Sequence, residues 1–414
     1  YVDAYGHPMK KLSYLFPAAG ALAGLLAACS STPEPTGTTT AALSYYRDVK
    51  AVVDKHCASC HSEGGIGPFP LTTYEEVFAT RDAVKSAVEG KRMPPWLAGP
   101  NCAEYTENRG LSDAEIRTLT DWVEGGAAAG DPKDAPPEVQ AQGGNLDVSR
   151  VDLRLELPTT YTPEVGADGD YRSFILDWPE TADKYITGFA DAEPGYPCYG
   201  GAGGAPGTST RLESWAPGRP GSDFPAGTGV KVRPGSKIVL QMHYATHTTA
   251  PTPDRSAIEL KVDDTVEKDA VALYFTNVAW LAKGGMLIPK GEKSVVHRYT
   301  LDFSTVIGQY AGGAIENGQP FKLHYAGYHM HTRGKRGKLW VKKKGEGDQC
   351  ALDIPRWDFN WQLYYHFKEP RLIEPGDEIG IECEFDNEKG EKDITWGEGT
   401  EDEMCVAILY VSRP

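Results

Sequence analysis

Two spacings in this 414-residue chain point to chemistry. Cys57-Ala58-Ser59-Cys60-His61 is the C-x-x-C-H pattern that attaches c-type haem. Its two thiols add to two vinyl groups, and the adjacent His61 swings beneath the iron as proximal ligand. Far downstream, the alternation over Phe321 to His331 predicts a strand whose Phe321, Leu323, Tyr325, Gly327, His329 and His331 share one face. Histidines at i and i+2 on a strand can reach one metal, although two surface histidines would show the same spacing. Met404 follows the acidic turn Thr400-Glu401-Asp402-Glu403 and heads a closing strand, Val406 to Val411. A thioether beside two imidazoles suits copper cycling through Cu(I), which favours soft ligands.

The elements that must hold the first site read as helices. Ser44 to Cys57 places Val49, Val52 and Val53 inward, and Tyr74 to Glu89 carries Val77, Val84 and Val88 at helical spacing. Ser112-Asp113-Ala114-Glu115 is a capping box opening a third helix, with Ile116, Leu119 and Val123 on one face and Gly125-Gly126 at its end. A few short helices around a haem resemble class I cytochrome c. That resemblance implies a distal Met from the loop before the last helix. Arg92-Met93-Pro94-Pro95-Trp96 fits it, because prolines stiffen the loop that would present Met93. His56 is expected to face solvent.

The second site needs strands. From Arg150 on, short alternating segments recur between Gly, Pro and Asp turns: Val151 to Leu155, Lys237 to Tyr244, Ala270 to Phe275, Phe321 to His331 and Asp377 to Phe385. That pattern predicts β-sandwiches, and about 270 residues allow two. Gly 46 and Pro 30 agree with a largely β chain. Lys and Arg number 42 against 58 Asp and Glu, a net charge of −16 with no basic block, which excludes a nucleic-acid binder.

The N-terminus reads as an address. Lys10 and Lys11 precede the apolar run Leu12 to Ala28, which Pro17 interrupts and which is too short for a membrane span. Its end, Leu26-Ala27-Ala28-Cys29, resembles a bacterial lipoprotein signal, which implies lipid on Cys29 and anchoring to the membrane. Ser30 to Thr40 is then a Ser/Thr/Pro tether. The rest of the chain is expected on the periplasmic side of the envelope, at the outer membrane, where disulfides persist.

Three separated segments then carry a family resemblance. Tyr328-His329-Met330-His331-Thr332-Arg333-Gly334-Lys335, Leu240-Gln241-Met242-His243-Tyr244 and Asp402-Glu403-Met404-Cys405 resemble the copper type II, ascorbate-dependent monooxygenases, over roughly residues 150 to 414. The resemblance implies two sandwich domains, each with one copper. It places the catalytic copper on His329, His331 and Met404, one electron-transfer copper ligand on His243, and a disulfide on Cys383 and Cys405. Two departures stand out. No adjacent His-His pair exists in the chain, so the electron-transfer site is incomplete as written; His247 is a weak substitute. Gly327 and Ile408 stand where the peptide enzymes carry an Arg and a Tyr, which argues against peptide amidation. His297, His324 and His366 read as structural. Cys102, Cys198 and Cys350 are left over, an odd number with no assignable pairing.

Together these readings predict a small all-α cytochrome c domain followed by two all-β, jelly-roll-like sandwiches. The boundaries are 1–43 for signal and tether, 44–130 for the haem domain, and 146–268 and 269–414 for the copper domains. The expected function is hydroxylation of a small-molecule C–H bond with O₂. Haem c on Cys57, Cys60, His61 and Met93 would relay electrons from a periplasmic donor to copper. The alternative is an electron-transfer or copper-binding lipoprotein with an inactive oxygenase body.

Overall fold

Short-range signals set the helical elements. In this computed structural model, residues 42–63, 67–137, 148–164, 170–191, 198–203, 211–213, 221–244, 253–399 and 401–414 are described. Cys29 and the tether lie outside them. A π-helical turn, Tyr45–Val49, runs into α1 (Lys50–His56); α2 spans Tyr74–Glu89 and α3 Asp113–Glu124. Thr73 and Ser112 each accept the amide of the Glu three residues on, and that Glu reaches back. Both helices therefore start at full capping boxes, which satisfy donors no turn could reach. Val49, Val53, Val77, Val84, Val88, Leu119 and Trp122 form one small buried cluster between them.

The strands are β1 (Leu153–Glu156), β2 (Asp170–Asp177), β3 (Lys184–Asp191), β4 (Cys198–Gly203), β5 (Ser222–Asp223), β6 (Thr228–Val232), β7 (Lys237–Tyr244), β8 (Ala257–Asp263), β9 (Lys268–Phe275), β10 (Val295–Leu301), β11 (Phe321–His329), β12 (Gly334–Lys342), β13 (Asp348–Ile354), β14 (Tyr364–Ile373), β15 (Glu378–Phe385) and β16 (Val406–Ser412). A sheet ordered β1-β8-β3-β6-β9-β16-β11-β14, with β5 paired to β3, runs through both halves of the β region. The halves meet where β6 pairs in parallel with β9. The sheet β10-β15-β12-β13 serves the C-terminal half, and β2-β7-β4 the N-terminal half. Two apolar cores result, one per half.

The predicted fold class needs correction. The described chain is mostly strand with three short α-helices, and no separate all-α cytochrome c domain forms; residues 42–414 are one compact unit. The reason lies in residues 96–109. They leave the helices and join the C-terminal β core, where Leu97 and Ala98 are buried and Trp96, Ala103 and Tyr105 pack. Tyr105 bridges to Phe367, Thr106 N–H donates to His366 O, and Lys368 N–H to Glu104 O. Cys102 is disulfide-bonded to Cys350, 248 residues away.

Two local expectations also fail. His56 is buried, not solvent-facing, and its Nε2 lies 3.0 Å from Glu115 Oε1, tying α1 to the start of α3. The predicted common face of Phe321 to His331 is broken. Leu323 pairs with Val411 but Tyr325 with Tyr410, so His324 is an extra residue, a β-bulge. The strand changes phase there. Phe321 and Leu323, then Ala326, Tyr328 and Met330, enter the C-terminal core, whereas Tyr325 belongs to the other core. Tyr325, Gly327 and His329 keep the period of two beyond the bulge.

Candidate metal centre

His329 closes β11, and His331 follows in the turn toward β12. Their Nε2 atoms lie 3.2 Å apart. Each ring is oriented from behind. His329 Nδ1 is 2.6 Å from Gln362 Oε1, and Gln362 Nε2 donates to Phe359 O, which fixes the amide so that its oxygen faces the imidazole. His331 Nδ1 is 3.0 Å from Asp402 O. Both acceptors require Nδ1 to carry the proton. Two unprotonated Nε2 lone pairs then face one another, an arrangement that repels unless a cation sits against them. Nδ1–H bonds to carbonyls are the outer-shell device that orients metal-binding imidazoles. Burial pulls the His331 pKa down, against the opposing pull of the Asp402 carbonyl, so the ring stays neutral as a ligand must.

The ladder between β11 and β16 ends at His329 and Val406, and just beyond it Glu403 Oε2 accepts the backbone amides of both His331 and Met404, which brings the Met404 segment to the histidine pair. Among the described residues no cluster of three or more His, Cys, Asp or Glu gathers to hold a metal. The two imidazoles face one another without a third described His, Cys, Asp or Glu; a thioether added to such a pair would suit copper better than zinc or a hard cation. The Cys383–Cys405 disulfide, expected from the resemblance, is present. It bonds β15 to the residue after Met404 and so fixes that segment across the sandwich.

Glu403 is the residue that sequence reasoning passed over as part of an acidic turn. It is fully buried. Its carboxylate accepts the amides of His331 (2.8 Å), Arg333 (2.5 Å) and Met404 (3.3 Å), so one side chain pins both strands of the site. Burial raises its pKa to about 7, against those amides, which favour the ionised form. Trp357 Nε1 donates to His331 O at 3.0 Å. At Gly327, an added Cβ would lie 2.4 Å from Tyr364 Cδ1. The Tyr364 ring thus fills the space that a side chain at position 327 would need.

The other candidates divide. His243 lies in β7 opposite Tyr171, and Cys198 opens β4 opposite Met242; the side chains of both, and His247, fall outside what is described. Cys57 and Cys60 are free thiols, and His61 Nδ1 is 2.8 Å from Phe69 O, which leaves Nε2 available. Burial raises the Cys57 thiol to about 12. Met93 is half-buried in the loop after α2. His297 Nε2 lies 3.0 Å from Leu287 O, His324 Nε2 2.8 Å from Ser412 Oγ, and the His366 ring packs on Tyr325 at 4.6 Å.

Residues 314–412 match the family model of the copper type II ascorbate-dependent monooxygenase C-terminal domain. The match contains His329, His331, Met404 and the disulfide partners Cys383 and Cys405. The chain is similar to DBH-like monooxygenase protein 1 of Homo sapiens, 33% identical over 104 residues, which is 24% of this chain and 17% of that protein. The Mus musculus protein of that name is 36% identical over 87 residues, 20% of this chain and 14% of the relative. The Gallus gallus protein is 21% identical over 217 residues, 49% of this chain and 33% of the relative. The matches span a third or less of these relatives. Among solved structures, the major capsid protein P2 from Bacteriophage PM2 aligns with a TM-score of 0.27 at 9% identity, covering 63% of this chain and 97% of that one. So low a score carries no argument.

Proposed function

We propose that this chain is a copper-dependent monooxygenase that hydroxylates a C–H bond of a small molecule with O₂, with His329, His331 and Met404 holding the metal. The observation that carries the reading is the pair of Nε2 lone pairs 3.2 Å apart, both oriented by Nδ1 contacts. Copper, when bound, supplies one-electron chemistry toward O₂ and the substrate. The chain's own residues do the rest. Gln362 and Asp402 keep the Nδ1 protons in place, and Glu403 holds the turn carrying His331 against the strand carrying Met404. Tyr364 over Gly327 removes room for a carboxylate-gripping side chain, which supports a substrate other than a peptide terminus.

The electron supply belongs to the same proposal. Cys57 and Cys60 would hold haem c covalently, and His61 and Met93 would be the residues offered to its iron. When bound, the haem would supply one-electron transfer from a periplasmic donor, and lipid on Cys29 would keep the chain at the membrane. Supporting this is the His61 Nδ1 contact with Phe69 O, the orientation a proximal ligand needs. His243 remains one ligand of an incomplete second copper site. The missing His-His pair favours one competing reading, a copper-binding electron-transfer protein without turnover.

X-ray absorption on the reduced, copper-loaded protein tests the core of the proposal. A Cu–S contribution should appear in the wild type and vanish in Met404→His and Met404→Ala. Sulfur scattering that survives both substitutions overturns the ligand set. Sulfur present without substrate-dependent O₂ consumption favours the competing reading. Haem retained through acid–acetone extraction, and lost in the double variant Cys57→Ala/Cys60→Ala, tests the haem.

A further inference from the structure

The strand face that carries His329 also carries tyrosines. In register, Gly327 stands between Tyr364 of β14 and Ile408 of β16, and Tyr325 between His366 and Tyr410. Tyr364 lies over Gly327. Its ring stacks on Tyr325 with centroids 5.0 Å apart and planes at 27°, and Tyr325 stacks on Tyr410 at 4.9 Å and 15°. Tyr410 contacts Phe224 at 5.2 Å. Three stacked phenol rings thus start opposite Gly327, two residues before His329 on β11, and cross into the core of the N-terminal half.

Two further contacts distinguish this stack from ordinary core packing. Tyr325 donates its phenol proton to Glu213 Oε2 at 2.5 Å, and both groups are buried. A buried carboxylate in this position is a ready acceptor for the proton that a phenol must lose when it gives up an electron. Burial, with Glu213 beside it, lifts the Tyr325 pKa far above its ordinary value, so the resting phenol keeps its proton. At the other end, the Tyr410 hydroxyl is 3.1 Å from Thr228 Oγ1. Thr228 and Phe224 line an open cleft of about 620 Å³. The row therefore connects the metal centre to a solvent-facing cleft on the other half of the molecule.

We infer that Tyr364, Tyr325 and Tyr410 form a redox relay serving the His329/His331/Met404 centre, with Glu213 as proton acceptor for Tyr325. This rests on the copper reading above. In the step proposed, Tyr325 would lose one electron, through Tyr364, to a copper centre oxidised by O₂ or hydrogen peroxide, which would be reduced by that electron. Its O–H bond breaks, the proton passes to the Glu213 carboxylate, and a neutral phenoxyl radical remains. A one-electron reductant of the ene-diol or hydroquinone class, acting through Tyr410 from the cleft, would reverse the step, and the proton would return from Glu213 to the phenoxyl oxygen. The relay offers a through-protein route for single electrons in a chain that has no adjacent His-His pair.

The test uses the full chain loaded with Cu(II), mixed with hydrogen peroxide as co-oxidant, freeze-quenched and read by electron paramagnetic resonance. The wild type should show histidine nitrogen couplings on copper and then an organic radical with phenoxyl ring-proton couplings. Tyr325→Phe keeps the ring stack and should abolish the radical. Glu213→Gln keeps a hydrogen-bond acceptor but takes no proton, so the radical should form more slowly and in lower yield. Tyr410→Phe should leave a radical at Tyr325 that decays more slowly. Normal copper couplings with no phenoxyl signal, or a signal unchanged in Tyr325→Phe, would overturn the relay while leaving the copper centre standing. Copper without nitrogen couplings would overturn the centre, and the relay with it.

Discussion

Replacing Glu403 by Ala should cost more stability than any other single change on the exposed or polar side of the site, and the cost should depend on pH in an unusual direction. The side chain accepts three amides, from His331, Arg333 and Met404, and is fully buried. Each orphaned buried donor costs about 1–3 kcal/mol, and the turn can relax toward water at one of them, so Glu403→Ala should destabilise the metal-free protein by about 3–5 kcal/mol near pH 5. The pH dependence follows from its pKa, raised from 4.5 to about 7. A folded-state value above the unfolded one means the native protein holds this proton more tightly. The stability tied to it is complete below about 4.5 and is lost as pH rises through about 7. A shift of that size is worth about 3 kcal/mol, so the penalty should shrink to about 0–2 kcal/mol near pH 8. Urea unfolding of metal-free wild type and variant at the two pH values reads both numbers, and copper titration should show weakened binding in the variant. A penalty below about 1 kcal/mol near pH 5 would refute the amide argument. A penalty larger near pH 8 than near pH 5 would refute the assignment of a raised pKa.

Other perturbations address the rest of the framework. On the loop-entropy relation, removing Cys383–Cys405 by paired Ser substitution should cost about 3 kcal/mol, and removing Cys102–Cys350 about 5, since they close loops of 22 and 248 residues; unfolding midpoints and a non-reduced peptide map check both. The Glu115 carboxyl is held down at about 2: burial opposes ionisation, but the Ser112 amide and hydroxyl and His56 outweigh it. Stability from that depressed pKa is present above about 4.5 and is lost as pH falls toward 2, so Glu115→Gln should flatten the acid limb of helix melting followed by circular dichroism. Gly327→Ala places a Cβ 2.4 Å from the Tyr364 ring and should cost about 1–3 kcal/mol by overpacking. Tyr364→Ala in the same chain should relieve part of that cost, and strict additivity in the double-mutant cycle would show that the two residues do not touch.

What was legible in the sequence was whatever a short spacing encodes. The capping box at Ser112 and the extents of α2, β7 and β16 followed from local pattern, because caps and periodicity act within one turn or one strand. The resemblance placed the Cys383–Cys405 disulfide, which the structure contains. Residues 96–109 were misassigned because nothing local distinguishes a loop that closes a helical domain from one that inserts into a distant core. Trp96 and Tyr105 are apolar and aromatic in either case. Only their meeting with Tyr365, at 5.0 and 5.5 Å, and the Cys102–Cys350 bond decide the matter. For the same reason Cys102, Cys198 and Cys350 could not be paired from spacing. The burial of His56 depended on Glu115, 59 residues away.

The bulge at His324 shows how a strand pattern can bring His329 and His331 together for an incomplete reason. Strict alternation would put His329 on the face of Phe321 and Leu323, both fully buried in the C-terminal core. A ring there would be packed against leucine and isoleucine, with no room for a ligand. The extra residue turns the strand by one position, so that Ala326, Tyr328 and Met330 continue the core while Tyr325, Gly327 and His329 face the other way. His324 itself is anchored by Ser412 Oγ at 2.8 Å, which makes the bulge a fixed feature of the ladder with β16. One inserted residue therefore releases the paired imidazoles from the core and places them in phase with the tyrosine stack. A one-residue deletion at His324 should restore unbroken alternation and force the strand to choose between burying its histidines and exposing Tyr328 and Met330. Either choice separates His329 Nε2 from His331 Nε2 or unfolds the C-terminal sheet. The deletion should therefore abolish histidine nitrogen couplings on added Cu(II), whereas His324→Asn, which keeps the residue count and a hydrogen bond to Ser412, should retain them. Couplings that survive the deletion would mean the site does not depend on the bulge.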